Sequence, residues 1–341
     1  MPLPSLVELP PALTSPTPCE GVRWLLGVDG GATKTLAAVL DLQARSLHLG
    51  HAGPSNEDAV GAEAAVAALT GAAEAAMAGA GVSERDLGAI VAAVAGTDTA
   101  SIAGHVRDAR GEGWVVVNDV VGAWATATGG GPGVGAISGT GSNVFGVGAG
   151  GNGWRTGGWG HLLGDEGSGF WLGSESIRAA LKDRDASGPP TELGRAACSH
   201  FDCPTIEAVA SLVYSKPLTK AEISAFAVES ARVAEGGDEV AVELFARGAR
   251  MLGDQVAAVI AQTALEGSFP IGLIGSTYKA GEIYLAPLRE RIGRAAPSAQ
   301  ISQVEMPPAG GSLLLAAVVC GMRGQLDPDE LSGLLAAALA A

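Results

Sequence analysis

The sequence predicts an α/β protein whose sheets contain both parallel and antiparallel strands. Short apolar runs of strand length alternate along the chain with longer segments of helical periodicity, which is typical of sheets covered by helices. Two places, 24–40 and 134–147, have the pattern strand, glycine turn, strand, and such hairpins argue against a purely parallel sheet. With 341 residues the chain is long enough for two domains, each with its own core.

The first half of the chain begins with the first hairpin and continues with alternating helices and strands. Apolar runs predict strands at 24–28, 36–40, 46–51, 87–94 and 114–117. Helices are predicted at 62–80, which is rich in alanine, and at 102–110. Asp119 directly follows a buried strand, where it can cap a helix that begins near Val120.

The second half begins with the second hairpin and contains longer helices. Strands are predicted at 134–138, 143–147, 271–274 and 301–304, and helices at 169–182, 220–234, 239–265 and 311–320. A polar link at 185–190 separates the first of these helices from the others. Leu244, Leu252 and Val259 recur near the helical period, and Asp238 is placed to cap the helix that contains them.

Composition excludes several classes of partner. The chain has 21 Lys and Arg against 36 Asp and Glu, a net charge of −15, which argues against nucleic acid and against anionic membranes. Scattered cysteines (Cys19, Cys198, Cys203 and Cys320) indicate a reducing cytosol and no disulfide framework. Residues 1–21 are predicted to be a poorly ordered, proline-rich tail without a secretory signal. The longest apolar run, 313–319, is too short to span a bilayer.

The first glycine turn has residues suited to phosphate. It contains Asp29, Gly30, Gly31, Thr33 and Lys34 between two predicted strands. It is neither a Walker loop nor a Rossmann fingerprint, because it lacks Gly-Lys-Ser/Thr and leads into a strand. Two glycines in a turn can form a nest of N–H groups for an anion, and the aspartate can hold Mg²⁺ directly or through water. The alternative is a plain hairpin.

The second glycine turn, 138–142, has a similar design. Small residues allow a phosphate to approach Gly139, Thr140 and Gly141, with a tight hairpin as the alternative. A further pair, Gly275 and Ser276, follows a predicted strand. Ligands of α/β proteins gather at the carboxyl ends of strands, so turns of this kind favour a nucleotide site.

Two carboxylates and a large aromatic residue lie in the glycine-rich segment 157–169. Asp165 and Glu166 can accept hydrogen bonds from several hydroxyls, and Trp159 offers an apolar face. This combination predicts a polyol site, and a sugar is the obvious polyol. His161 lies beside the pair and could be a base, but a structural histidine, or one that supports the site residues from outside, is the favoured interpretation. Asp119, at the end of its strand, can act as a helix cap, as a proton acceptor, or as both.

These segments together resemble the N-acetylglucosamine kinases of the sugar kinase, heat-shock 70 and actin superfamily. The resemblance runs from about 24 to about 323 and rests on 27–34, 118–119, 137–143, 158–160, 163–168, 275–278 and 308–312. Gly-Asp-Glu-Gly-Ser beside Gly-Trp-Gly is its most specific part. It implies two ribonuclease-H-like, actin-like ATPase domains flanking a cleft. The expected boundaries are 22–119, joined by a C-terminal helix at 311–341, and 120–310 with a helical insertion.

The resemblance also implies roles for single residues. Asp119 would be the catalytic base for a sugar 6-hydroxyl that attacks the γ-phosphate of ATP, and Asp29 would organise Mg²⁺. ATP would be bound by Gly30, Gly31, Thr33, Lys34, Gly139, Thr140, Gly141, Gly275 and Ser276. The sugar would be bound by Asn56, Asp98, Asp119, Ser142, Asn143, Gly158, Trp159, Gly160, Asp165 and Glu166. A cytoplasmic enzyme is implied, and a homodimer is a candidate assembly.

Other functions stay open at this point. Glucosamine, glucose or N-acetylmuramic acid kinases share the same motifs. An ATPase activator of a partner enzyme, of the kind related to benzoyl-CoA reductase, would need an iron–sulfur cluster on cysteines. A sugar-sensing regulator would need a DNA-binding module, for which the tail is too short. Cys198, His200 and Cys203 are close enough for a metal, but a structural zinc needs a fourth ligand, so a helix end is the favoured interpretation.

Overall fold

The structure is a computed structural model that describes residues 9–96, 98–215 and 218–341. Within these residues, ten strands form two five-stranded sheets. The first sheet contains β1 (Trp24–Gly30), β2 (Thr35–Asp41), β3 (Ser46–Ala52), β4 (Leu87–Val94) and β5 (Trp114–Asn118). The second sheet contains β6 (Gly133–Ser138), β7 (Ser142–Val147), β8 (Gly153–Gly157), β9 (Pro270–Ile274) and β10 (Gln300–Gln303).

The two sheets have the same topology. Their orders are β3-β2-β1-β4-β5 and β8-β7-β6-β9-β10. In each sheet the first three strands form an antiparallel meander and the other two join in parallel. The register pairs Gly30 with Thr35 at the first turn and Ser138 with Ser142 at the second. The predicted α/β class with mixed sheets is therefore confirmed.

Helices cover both sheets. They are α1 (Pro11–Thr14), α2 (Glu57–Val60), α3 (Ala62–Ala80), α4 (Thr99–Arg110), α5 (Asp119–Thr128), α6 (Gly169–Arg184), α7 (Leu193–His200), α8 (Ile206–Ser215), α9 (Lys220–Glu235), α10 (Glu239–Thr263), α11 (Glu282–Ala295), α12 (Pro308–Val319) and α13 (Pro328–Ala340). Short 3₁₀ helices lie at Glu84–Asp86 and Ser276–Ala280. No helix of the described ranges is long and apolar enough to cross a membrane.

Two buried helices connect the halves of the molecule. Helix α5 follows the first sheet but packs on β6 and β9, whereas α12 follows the second sheet and packs on β1 and β4. The helices also pack on each other, and Gly311 lies directly against the carbonyl of Gly122, where a side chain would not fit. This exchange supports division into 22–119 with 311–341 and into 120–310, which we retain as a proposal.

The hydrophobic core has a layer on each face of the sheets. Leu26 and Val28 of β1 pack against Leu69 of α3 on the outer face of the first sheet. Helices α6 to α10 form a helical layer beside the second sheet, centred on Phe226 and Phe245. These layers hold the strand ends in fixed positions, and the glycine turns project from those ends.

Three expectations differ from the structure. The segment 9–21 is attached to the fold at two points, because Leu13 of α1 is 3% exposed and the N–H of Cys19 donates to the carbonyl of Cys320 at 3.2 Å, while residues 1–8 lie outside the described residues. The helix expected over 311–341 is divided into α12 and α13, with Gly321 and Gly324 at positive φ between them. Asn118, and not Asp119, caps α5: its side chain accepts a hydrogen bond from the N–H of Val120.

Candidate active site

The first glycine turn is open at its tip and anchored at its base. The N–H of Gly31 donates to the carbonyl of Lys34 at 3.0 Å, and the N–H of Ser55 donates to the carbonyl of Gly31 at 3.0 Å. The hydroxyl of Ser55 lies so close to Gly30 that a side chain there would collide with it. Thr33 and Lys34 are exposed. The tip of the turn is therefore open to a ligand, and phosphate binding there stays a prediction.

Two recessed carboxyl groups lie close together beside this turn. Burial, and then the negative charge of Asp119, raise the pKa of Asp29 to about 7, while the charge of Lys34 opposes this. Burial also raises the pKa of Asp119 to about 6, against the N–H of Val120 and the charge of Arg155. Each side chain keeps a partly exposed edge. A carboxyl group with a pKa of about 6 is well matched to accepting a proton near neutral pH.

Arg155, from the second half of the molecule, lies close enough to Asp119 for their charges to interact. It lies in β8, opposite Phe145 of β7. Its guanidinium carbon is 5.5 Å from the centroid of the Trp159 ring, a cation–π contact, and its charge lowers the pKa of Asp119. Sequence reasoning missed Arg155 because β8 has no apolar run. The repeated hairpin could have indicated β8. A third strand follows the first hairpin, so a third strand is also expected after the second hairpin.

Polar side chains at the strand ends of the first sheet continue the site. Asn56 caps α2 by accepting from the N–H of Asp58 at 2.9 Å, and it lies beside Gly96. The amide of Asn118 donates to the carbonyl of Gly96 at 3.1 Å, which ties this loop to the residue before Asp119. The structure thus brings Asn56 to the same edge of the sheet as the proposed base.

Asp98 has a different position. It is exposed and caps α4, because its carboxylate accepts a hydrogen bond from the N–H of Ser101 at 2.9 Å. Its predicted sugar contact would have to be made by the remaining carboxylate surface. Thr97, which precedes it, lies outside the described residues.

The second glycine turn is held from several sides. The carbonyl of Gly139 accepts from the N–H of Gly169 at 2.7 Å and from the hydroxyl of Thr277 at 3.3 Å. The carbonyl of Thr140 accepts from the N–H of Phe170 at 3.3 Å. The start of α6 and the 3₁₀ helix Ser276–Ala280 therefore fix this turn, whereas the side chain of Thr140 stays exposed.

Gly275 and Ser276 lie against the same turn, as the prediction of a shared nucleotide site requires. Gly275 has φ +124°, and a methyl group at its α-carbon would overlap the carbonyl of Ser138. The hydroxyl of Tyr278 donates to the carbonyl of Ala136 at 2.9 Å, which fixes the 3₁₀ helix on β6. Backbone from two separated segments thus forms one surface.

Asp165 is a buried side chain with protein partners on both oxygens. It is 2% exposed and has φ +63°, a strained conformation for a residue other than glycine. Oδ1 accepts from the N–H of Ser142 at 3.1 Å, and Oδ2 lies 2.7 Å from Nζ of Lys220. A sugar hydroxyl would have to share this carboxylate with Lys220, which sequence reasoning did not single out.

The neighbouring predicted sugar residues line the same segment. The amide of Gln255 donates to the carboxylate of Glu166 at 3.1 Å. Asn143 lies against Gly158, which has φ +71° and no room for a side chain. Trp159 is 58% exposed, an unusual position for a large aromatic ring, and Gly160 follows it at φ +79°. An exposed indole beside buried polar groups suits the apolar face of a sugar.

The donors around Asp29 fit a magnesium ion. Mg²⁺ prefers carboxylate oxygen and water, and the mutual repulsion of the two recessed carboxyl groups is what a divalent cation would relieve. Among the described residues there is no group of three or more His, Cys, Asp and Glu side chains that could hold a metal by themselves. Magnesium would therefore be held together with water and phosphate oxygens.

Two duplicated sheets, a glycine turn in each, and an acidic residue between them define a protein of the actin-like ATPase class. The chain matches the model of the BadF/BadG/BcrA/BcrD ATPase family over residues 26–316, and it belongs to that family.

Its similarity to curated proteins points within this family to sugar kinases. It is 32% identical over 246 residues to the N-acetylmuramic acid/N-acetylglucosamine kinase of Clostridium acetobutylicum, covering 70% of this chain and 80% of the relative. It is 30% identical over 313 residues to the N-acetyl-D-glucosamine kinase of Dictyostelium discoideum, covering 85% and 97%. A crystal structure from Chromobacterium violaceum, described as a candidate N-acetylglucosamine kinase, shares the fold with TM-score 0.70 at 24% identity, covering 86% and 99%.

Proposed function

We propose that this protein transfers the γ-phosphoryl group of ATP to the 6-hydroxyl of an amino sugar, with N-acetylglucosamine as the first candidate. The observation that carries the proposal is the position of Asp119. It lies at the start of α5, where the strand ends of the first sheet meet Arg155 and Trp159 of the second half. Both curated relatives are kinases of N-acetylated sugars, which supports the acceptor class.

The chemistry assigned to Asp119 is general base catalysis. Its carboxylate takes the proton of the sugar hydroxyl as that oxygen forms a bond to the γ-phosphorus, and the bond to the β-phosphate oxygen breaks to release ADP. The positive charge of Arg155 keeps the carboxylate ionised and so available as a base. Magnesium at Asp29, when bound, supplies charge neutralisation for the phosphate oxygens.

The remaining contacts are assigned by their location. ATP lies on the two glycine turns and on Gly275 and Ser276, and the backbone of Gly275 lies close to that of the second turn. The sugar lies between Asn56 on the first half and Asn143 and Trp159 on the second. Closure of the halves around both ligands would exclude water, which otherwise competes as the acceptor. A cytoplasmic location, which the scattered cysteines favour, and a homodimer, which follows from the resemblance alone, are further parts of the proposal.

The acceptor is tested by measuring ADP release with glucose, glucosamine, N-acetylglucosamine, N-acetylmannosamine and N-acetylmuramic acid. We expect N-acetylglucosamine to give the highest kcat/KM, with N-acetylmuramic acid as the principal alternative, because the Clostridium acetobutylicum relative is named for both. ADP release that stays at background with all five sugars would refute the acceptor assignment. Iron absorbance in anaerobically purified protein, together with no ADP release above background for any of the five sugars, would instead favour the activator function.

The role of Asp119 is tested by Asp119→Asn. We expect kcat to fall by roughly 10²–10⁴ with little change in melting temperature, because the amide cannot take the proton. Asp108→Asn, which changes an exposed carboxylate in α4, is the matched control and should keep full activity. An Asp119→Asn enzyme within threefold of the parent kcat would exclude Asp119 as the base.

A further inference from the structure

The second glycine turn has a cation directly above it that the function described so far does not use. Lys220 is the first residue of α9, remote in sequence from the turn. A methyl group built on Gly141 would lie 2.7 Å from its Nζ, so the ammonium group lies over the α-carbon of Gly141. Its side chain is 35% exposed, which leaves the ammonium group open to solvent on one side.

Asp165 holds the ammonium group in this position. Its Oδ2 lies 2.7 Å from Nζ of Lys220, while its Oδ1 accepts from the N–H of Ser142, the last residue of the turn. The carboxylate is 2% exposed and therefore has little freedom to move. An ammonium group has three N–H donors, so one contact to Asp165 leaves donors for a second anion.

The turn itself has few amides to offer a phosphate. The N–H of Gly139 donates to the carbonyl of Gly141 at 2.9 Å, and the N–H of Ser142 is taken by Asp165. The amides of Thr140 and Gly141 would be the ones left to meet a phosphate with several negative charges. A cation beside these amides would supply the attraction that they lack.

We propose that Lys220 is a phosphate ligand of the bound nucleotide, and that Asp165 is the residue that positions it above the second glycine turn. The inference rests on the proposed function only in requiring ATP, and it does not depend on which sugar is the acceptor. It also explains the glycine at 141, since any side chain there would displace the ammonium group.

The test compares Lys220→Met and Lys220→Arg with Lys182→Met, which removes an exposed lysine from α6. Binding of adenylyl imidodiphosphate, adenosine and N-acetylglucosamine is measured by calorimetry. We expect Lys220→Met to lower the affinity for the triphosphate analogue by roughly tenfold to hundredfold and the affinity for adenosine by less than about twofold. Lys220→Arg should retain part of the affinity, and Lys182→Met all of it.

Loss of the lysine leaves the buried Asp165 without its charged partner, so the single variant can lose stability. The double variant Lys220→Met with Asp165→Asn removes both charges and keeps the measurement interpretable in a folded protein. An unchanged affinity for the triphosphate analogue would overturn the proposal. An equal loss of affinity for adenosine, or a loss of affinity for N-acetylglucosamine alone, would also overturn it. If Lys220→Met lowers the affinity for the triphosphate analogue alone, and the protein phosphorylates none of the five sugars, the role of Lys220 as a phosphate ligand is supported. Only the assignment of the acceptor sugar is then refuted.

Discussion

The two glycine turns occupy equivalent places in sheets of the same topology, yet their surroundings differ. The first turn is stabilised at its base. The carbonyl of Gly30 accepts from the N–H of Ala95 at 2.7 Å, and the carbonyl of Gly31 accepts from the N–H of Ser55 at 3.0 Å. The second turn is enclosed by α6, by the 3₁₀ helix after β9 and by Lys220. One duplicated element has thus produced an open turn and an enclosed turn.

This difference has a physical consequence for the nucleotide. The enclosed turn loses little conformational entropy when a ligand binds, because hydrogen bonds to other segments already fix it. The open turn, with Thr33 and Lys34 exposed at its tip, can adjust to the ligand that arrives. We therefore expect the second turn to set the affinity for ATP and to tolerate substitution poorly, and the first turn to act mainly in the chemical step.

The glycines that follow β4 and β9 give the strongest test of this comparison. Gly96 and Gly275 both have positive φ, at +155° and +124°. A methyl group on Gly275 would overlap backbone of Ser138, whereas one on Gly96 would lie 3.7 Å from a carboxylate oxygen of Asp58, an ordinary contact. Gly275→Ala should therefore cost roughly 2–5 kcal/mol of folding free energy, from strain and overpacking together. Gly96→Ala should cost about 1 kcal/mol, from strain alone.

Urea unfolding of both variants measures these costs, and ATP binding by the folded fraction shows whether the nucleotide surface is distorted. Gly275→Ala should also bind ATP more weakly than Gly96→Ala. Equal free energies of unfolding for the two variants would show that the segments after β4 and β9 are constrained alike, and would contradict the enclosure of the second turn by the segment that contains Gly275.

Much of this architecture was accessible from the sequence because it depends on local patterns. The two hairpins, the helix Ala62–Ala80 and the strand before Asp119 were predicted with ends within a few residues of those observed. Apolar runs and glycines determine such elements independently of distant contacts. The two hairpins also located both turns of the candidate nucleotide site.

The parts that were missed depend on contacts between distant segments. β8 is a strand because it pairs with β7, and its own sequence, Gly-Trp-Arg-Thr-Gly, carries no strand pattern. Lys220 was recognised only as part of a helix, since nothing local connects it with Asp165. Residues of this kind become visible when the topology places them together.

A smaller effect is expected from alanine at one glycine of each turn. A methyl group on Gly141 would lie 2.9 Å from Oδ1 of the buried Asp165, whereas on Gly31 it would meet the carbonyl of Lys34 at 3.2 Å. Lys220 can move aside, but Asp165 has no space to do so. Gly141→Ala should raise the KM for ATP by roughly tenfold, the range of an overpacked site. Gly31→Ala should raise it by less than about threefold.

Steady-state kinetics at saturating sugar decides between these two values. The KM for N-acetylglucosamine serves as the internal control and should change little in either variant. A larger effect at Gly31 than at Gly141 would reverse the assignment of the enclosed turn to nucleotide affinity.

The smallest expected effect concerns charge across the two halves. Asp119, from the first half, has a pKa raised to about 6 by burial, and the charge of Arg155, from the second half, lowers that pKa. Saturating magnesium and ATP would keep Asp29 ionised, so the acid limb of kcat then reports Asp119, and kcat should fall about tenfold for each pH unit below 6. Arg155→Met removes the charge that favours the carboxylate, so the acid limb should move to higher pH. The expected loss is about two- to fivefold at pH 6 and less than twofold at pH 8.

The matched variant Arg155→Lys keeps the positive charge and should leave the acid limb near its original position, although it loses the planar contact with Trp159. The pH profile therefore separates the two contributions of Arg155. A shift of the acid limb in both variants would show that the planar contact of Arg155 with Trp159, and not its charge alone, sets the pKa of Asp119. An acid limb that is unchanged in Arg155→Met would show that the charge of Arg155 does not affect Asp119. A shift confined to Arg155→Met would show that the charge of Arg155, from the second half of the molecule, sets the protonation state of a base supplied by the first half.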